Sequence, residues 1–334
     1  MEGGLAGHKP RASVSHPGRE ILRGDRRRPA CNLLAMSTED TLLLHFDDER
    51  EEALRLARAA GLQAVEIERH RFPDDELRLR LPAELPANAV LFRSLHRPNE
   101  KLLELLLVAR SAGRSGACHL TLVAPYLAYM RQDKAFHPGE VVSQRIVGEF
   151  LAGLFDGVIT VDPHLHRISS LAEAIPVPHA VALSGAGLLA DVAVARRERP
   201  LLVGPDAESA QWIETAAQRH GLDAVVCTKI RHGDREVDIA LPEDARVAGR
   251  AVVLLDDVAS SGRTLARAAE RLLAAGAASV DVAVTHALFA GDALEVIRAA
   301  GVGEVWSTDC IAHPSNAVQI APMLAEALRE VLAD

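Results

Sequence analysis

Lysine is nearly missing from this chain: Lys9, Lys101, Lys134 and Lys229 stand against 33 arginines. Aromatic residues make up 3% of 334 residues, which excludes the stacking platforms used to hold single-stranded nucleic acid. The formal net charge of −9 likewise speaks against a general nucleic-acid binder. No apolar run approaches the ~18 residues that a membrane span requires, so no membrane role is expected. There are four cysteines, Cys31, Cys118, Cys227 and Cys310, far apart and without a CxxC pair. That spacing fits neither a zinc site nor a disulfide frame, and points to reduced thiols in a cytoplasmic protein.

What is present divides unevenly. Residues 1–36 are rich in Gly, Pro and Arg, have no periodic apolar pattern, and lack the apolar segment of a secretory signal. Their charge is opposite to that of the body. We expect a disordered basic tail or a mis-set start there, because "MSTEDTLLLHF" at Met36 reads as a second chain start. From Thr41 strand-like and helix-like segments alternate. "TLLLHF", "LQAVEIERHRF", "NAVLFRSL", "HLTLVAPYL" and "GVITVDPH" read as strands, as do "RPLLVGPD", "DAVVCTKI", "GRAVVLLDD" and "SVDVAVTHAL" in a second series. Strands separated by helices of 10–15 residues predict parallel sheets covered by helices on both faces. The expected fold is α/β with two domains, 37–174 and 175–318, and a helix over 319–334 returning to pack on the first. In such folds ligands bind beyond the carboxyl ends of strands. Arg131, Asp162, His164, Asp206, Lys229, Asp256 and Asp257 all fall at such ends.

The most informative stretch is "AVVLLDDVASSGRTL" at 251–265. A strand, a Ser/Gly turn and a helix start place backbone N–H groups and the positive helix end around one point. Ser260, Ser261 and Thr264 add hydroxyls, giving a phosphate cradle without the lysine of a P-loop. Asp256 and Asp257 ahead of it suit sugar hydroxyls or a divalent cation. A plain surface turn with capping side chains is the alternative reading of these residues alone.

"DDVASSGRT" resembles the phosphoribosyl diphosphate (PRPP) loop of type I phosphoribosyltransferases and of ribose-phosphate diphosphokinases. Other segments are similar to the diphosphokinases in particular, in order from about residue 40 to 330. "RFPDDE" at 71–76 resembles their adenine-binding Phe-Ser-Asp-Gly-Glu loop, with Asp75 in place of Gly. "PYLAYMRQDKAFHPGE" at 125–140, "VITVDPHLHR" at 158–167, "GPDAES" and "CTKIR" at 227–231 resemble further family segments. In this chain Ser260 replaces the loop's usual third Asp, and "GPDAES" lacks the usual Gly pair.

The resemblance implies two phosphoribosyltransferase-like domains and one reaction, in which ATP and ribose 5-phosphate give PRPP and AMP. It implies Phe72, Asp74, Asp75, Glu76, Arg131, Gln132 and His164 as ATP residues. Asp256, Asp257, Ser260, Ser261, Gly262, Arg263 and Thr264 would bind ribose 5-phosphate. Mg²⁺ would be held by His164 and Asp206, and Lys229 and Arg231 would act on the transferring group. The family also implies a homo-oligomer whose ATP site is shared between subunits. Two rivals stand beside it: a transferase that consumes PRPP, and a catalytically silent regulatory relative.

Overall fold

The computed structural model describes residues 40–165, 167–232 and 236–333, with the side chains of Gln211 and 229–238 left aside. The tail expected over 1–36 and His166 lie outside the described residues.

The first sheet is assembled from β1 (Thr41–His45), β2 (Gln63–Glu66), β5 (Asn88–Phe92), β6 (His119–Val123), β7 (Gly157–Val161) and β8 (His179–Leu183). Its order is β2-β1-β5-β6-β7-β8, with every pairing parallel. "NAVLF" and "GVITV" are buried at all five positions, as strands covered on both faces must be. Helices α2 (Pro98–Ala112), α3 (Ser143–Ala152) and α4 (Leu171–Ala174) cover one face. The other face is covered by α1 (Arg50–Ala60), whose Ala53, Leu56, Ala57 and Ala60 recur at helical spacing, and which Gly61 ends at φ 74°. A hairpin of β3 (Glu68–Arg71) and β4 (Leu77–Arg80) projects from this half.

The second sheet repeats the plan with β9 (Leu201–Gly204), β10 (Ala224–Val226), β13 (Ala251–Ala259), β14 (Ser279–Ala287), β15 (Val305–Thr308) and β16 (Asn316–Val318). Its order is β10-β9-β13-β14-β15-β16, again parallel. α5 (Ala186–Arg196) and α6 (Ala210–His220) pack on one face, α7 (Arg263–Ala274) and α8 (Ala293–Ala299) on the other. β11 (Thr228–His232) and β12 (Glu236–Ala240) form a separate antiparallel hairpin.

Several expectations change. The division placed at 174/175 moves beyond residue 183, because β8 pairs with β7 and completes the first sheet. "DAVVCTKI" is not one strand: β10 belongs to the sheet, buried Cys227 donates its N–H to Gly204 O, and β11 starts the hairpin. "LQAVEIERHRF" divides similarly into β2 and β3. Cys227 and Cys310 are free and buried.

The last helix, α9 (Ala321–Ala333), crosses back to the first half. Leu324, Ala325, Leu328, Val331 and Leu332 pack with Leu43, Leu56, Phe92 and Ile159. No helix among the described residues is long and apolar enough to cross a membrane.

Candidate functional site

β13 carries its pattern straight through the two aspartates: Asp256 and Asp257 are residues of the strand itself, before the turn at Ser260–Gly262. Gly262 caps α7 at φ 70°, and a β-carbon there would lie 2.8 Å from Ala293 O and 2.9 Å from Ile297 Cδ1. Both the left-handed backbone and the closeness of α8 require glycine. α7 therefore begins immediately after the turn, with its first N–H groups at the cleft side of the loop.

The first domain supplies the facing wall. β7 is followed by Asp162-Pro163-His164, and His164 Nδ1 donates to Asp257 Oδ2 across the domains at 2.5 Å. Asp206, buried at the end of β9, accepts from Glu208 N–H at 3.0 Å and so also caps the short turn Ala207–Ser209. Between these walls lies a cavity of about 470 Å³ lined by Arg131, His164, Asp206, Asp256, Asp257 and Thr264, among others. The two adjacent carboxyls are driven apart electrostatically. Burial, then the charges of Asp257 and Asp206, push Asp256 well above the ordinary carboxyl range. Burial would raise Asp257 too, but the His164 hydrogen bond and charge, with His286, hold it below its ordinary value. The floor of the cleft thus presents an ionised carboxylate beside a carboxyl that a cation or additional donors would ionise. That combination suits a phosphorylated, hydroxyl-bearing ligand accompanied by a divalent ion.

The sequence-named residues do not all converge. Gln132 lies in an adjoining cavity of about 200 Å³, shared with Arg131 and His164. Ser260 faces a third cavity of about 640 Å³, together with His96, Arg97 and His313. Ser261 and Arg263 are exposed on the loop, and Gly262 is buried in it. Phe72, Asp74, Asp75 and Glu76 are exposed at the tip of the β3–β4 hairpin and line neither of the two cavities that hold Arg131. There Asp75 takes φ 70°, a conformation natural to the glycine usual at this position, and its N–H closes the loop on Phe72 O at 3.0 Å. Lys229 and Arg231 lie two apart on β11, in register with Ile239 and Val237 of β12. Their side chains are outside the described residues.

Sequence reading missed Trp212, Glu208 and Ser209 of the main cleft, and Tyr126 and His286 of the smaller cavity. Trp212 is one of two tryptophans in the chain and lies in the first turn of α6, shortly after the cleft aspartate, a signal that was available. His286 gave none, being a polar residue at the end of an apolar run.

Comparison with known proteins supplies the context. The family model described as the N-terminal domain of ribose phosphate pyrophosphokinase matches residues 41–154, and that of the phosphoribosyl transferase domain matches 179–300. A ribose-phosphate pyrophosphokinase of Methanopyrus kandleri is 34% identical over 280 residues, 83% of this chain and 94% of that protein. One from Methanosarcina acetivorans is 32% identical over 280 residues, 84% of this chain and 96% of the relative. The crystal structure of a phosphoribosylpyrophosphate synthetase from Mycobacterium smegmatis has the same fold, with a TM-score of 0.75 at 24% identity, over 87% of this chain and 98% of that one.

Proposed function

This chain belongs to the ribose-phosphate pyrophosphokinase family, and we propose from that premise that it converts ATP and ribose 5-phosphate to PRPP and AMP. The observation that supports the reading is the 2.5 Å contact between His164 and Asp257, which brings a residue we assign to ATP in one domain against a residue we assign to the sugar in the other. In the reaction the anomeric hydroxyl oxygen forms a bond to the β-phosphorus, and the bond from that phosphorus to the α–β bridging oxygen breaks. AMP departs with the bridging electron pair, and the hydroxyl proton is lost to solvent. Such transfer depends on positioning and charge neutralisation more than on covalent help.

The turn at 260–264 would hold the 5-phosphate through N–H groups and hydroxyls. Asp256 and Asp257 would accept the ribose hydroxyls. Arg131, Gln132 and His164 would hold ATP, and Phe72, Asp74, Asp75 and Glu76 would read the base from a neighbouring subunit. Lys229 and Arg231 would meet the charge that develops during transfer.

Asp206, Asp256 and Asp257 share one wall, and the crowding that raises Asp256 is relieved by a cation, so a divalent metal fits the site. Among the described residues no three metal-binding side chains form a closed site, which leaves coordination to be completed by phosphate oxygens. Mg²⁺ held by His164 and Asp206 would supply charge neutralisation of the diphosphoryl group.

The test is AMP release from ATP measured with and without ribose 5-phosphate. Release that ignores the sugar would defeat the proposal. In the active protein Lys229→Ala should lower kcat by about 10²–10³ while both substrates still bind by calorimetry.

A further inference from the structure

His286 is 2% exposed and Thr285 fully buried, at the end of β14 and beside the aspartates of β13. Neither belongs to the family's loop motifs quoted above. The His286 ring reaches out of its own domain: Nε2 lies 2.9 Å from Val161 O and 3.3 Å from Asp162 O. Carbonyl oxygens only accept, so Nε2 carries the hydrogen and Nδ1 is a bare acceptor. That Nδ1 is buried and has no partner. An unmet buried acceptor carries a desolvation cost. An aliphatic side chain would avoid that cost but could not tie the two carbonyls.

Thr285 completes the grip. Its Oγ1 donates to Asp162 Oδ2 at 2.6 Å, and Gly185 N–H donates to the same oxygen at 2.9 Å. The step so held is unusual, because Asp162 adopts φ 37° without being glycine. Such a backbone is costly and persists only where the surroundings impose it. Two residues on, His164 meets Asp257, which β13 carries in the strand adjoining Thr285 and His286.

We infer that Thr285 and His286 are positioning residues, which clamp the strained Val161–Asp162 step of one domain so that His164 is presented to Asp257 of the other. They touch no reacting atom and act through His164. This rests on the activity proposed above, but the clamp itself can be tested without it.

The experiment uses the full chain. His286→Phe keeps a ring and removes the donor, whereas His286→Gln restores an N–H near the Nε2 position. Thr285→Val is the second variant, should the first fold poorly. In ¹⁵N-histidine NMR of the unliganded protein, the His164 ring signals should move in His286→Phe and return towards wild type in His286→Gln. Unmoved signals in both His286→Phe and Thr285→Val would overturn the clamp, whatever reaction the protein performs. In the activity assay His286→Phe should lower kcat roughly 10- to 100-fold, as small misplacements do, with little change in KM. Placed in a His164→Ala background, His286→Phe should cost almost nothing more. Additive losses would show that His286 acts by another route. Absence of activity in the wild type would defeat the functional proposal and leave the NMR result to judge the clamp.

Discussion

At the scale of single residues, Arg93 is the boldest placement in the molecule. Its side chain is 1% exposed at the end of β5, where Nε donates to Glu104 Oε2 at 2.8 Å and Nη1 to Asp48 Oδ1 at 2.7 Å. Glu104, fully buried, also accepts from Arg69 of the β3–β4 hairpin at 2.8 Å, and Lys101 donates to Glu49 at 2.7 Å. A buried charge stripped of its partner is far costlier than a pair replaced together. Glu104→Ala should therefore destabilise the fold by about 3–5 kcal/mol, read from the urea midpoint at unchanged slope. It should also loosen the hairpin that Arg69 anchors. His96 borders the same cluster. Burial first, then the charges of Lys101 and Arg93, bring its pKa down to about 4. Between pH 6.5 and about 4 the unfolded chain therefore binds a proton that the folded one refuses, and stability falls as pH falls through that window. Buried His286 acts in the same direction. Thermal melts of His96→Gln should show a flatter decline over this range than wild type; an identical slope would exclude His96 as a contributor.

At the scale of elements, the turn between β13 and α7 invites the sharpest perturbation. Ser261→Asp introduces an anion where the 5-phosphate would lie and competes for the same N–H groups. The KM for ribose 5-phosphate should rise on the order of 10- to 100-fold, the worth of one charge-assisted hydrogen bond, with the KM for ATP little changed. Equal effects on both substrates would put the sugar phosphate elsewhere. This turn was legible in the sequence because strand, Ser/Gly turn and helix start are all local signals. The alternation of strands and helices was legible for the same reason. β8 was not read as a strand, and five residues of "HAVAL" say nothing about which neighbour they will pair with. Cys227 adds the last rung of the β10–β9 ladder by donating its N–H to Gly204 O, a long-range fact. The clamp at Thr285 and His286 was hidden likewise, its partners being more than 120 residues distant. Local chemistry could be read; meetings across the cleft could not.

At the scale of the whole molecule, the exposed tip holding Phe72 and Glu76 stands apart from the cleft in its own chain. If a neighbouring subunit completes each site, mixing Glu76→Ala with Lys229→Ala subunits should restore part of the activity that each lacks alone. No recovery after demonstrated subunit exchange would confine the site to one chain. α9 has a different consequence, one of timing. The sheet face that carries Leu43, Phe92 and Ile159 is finished by Leu324, Leu328 and Leu332, which are made long after β8. At about 5–20 residues per second, a ribosome that has passed β8 needs roughly 10–30 s to deliver them. For that interval the amino-terminal half of the nascent chain carries an uncovered apolar surface. Whatever binds exposed apolar segments in the cell has its best opportunity then, and a message that ends early would leave that surface bare for good.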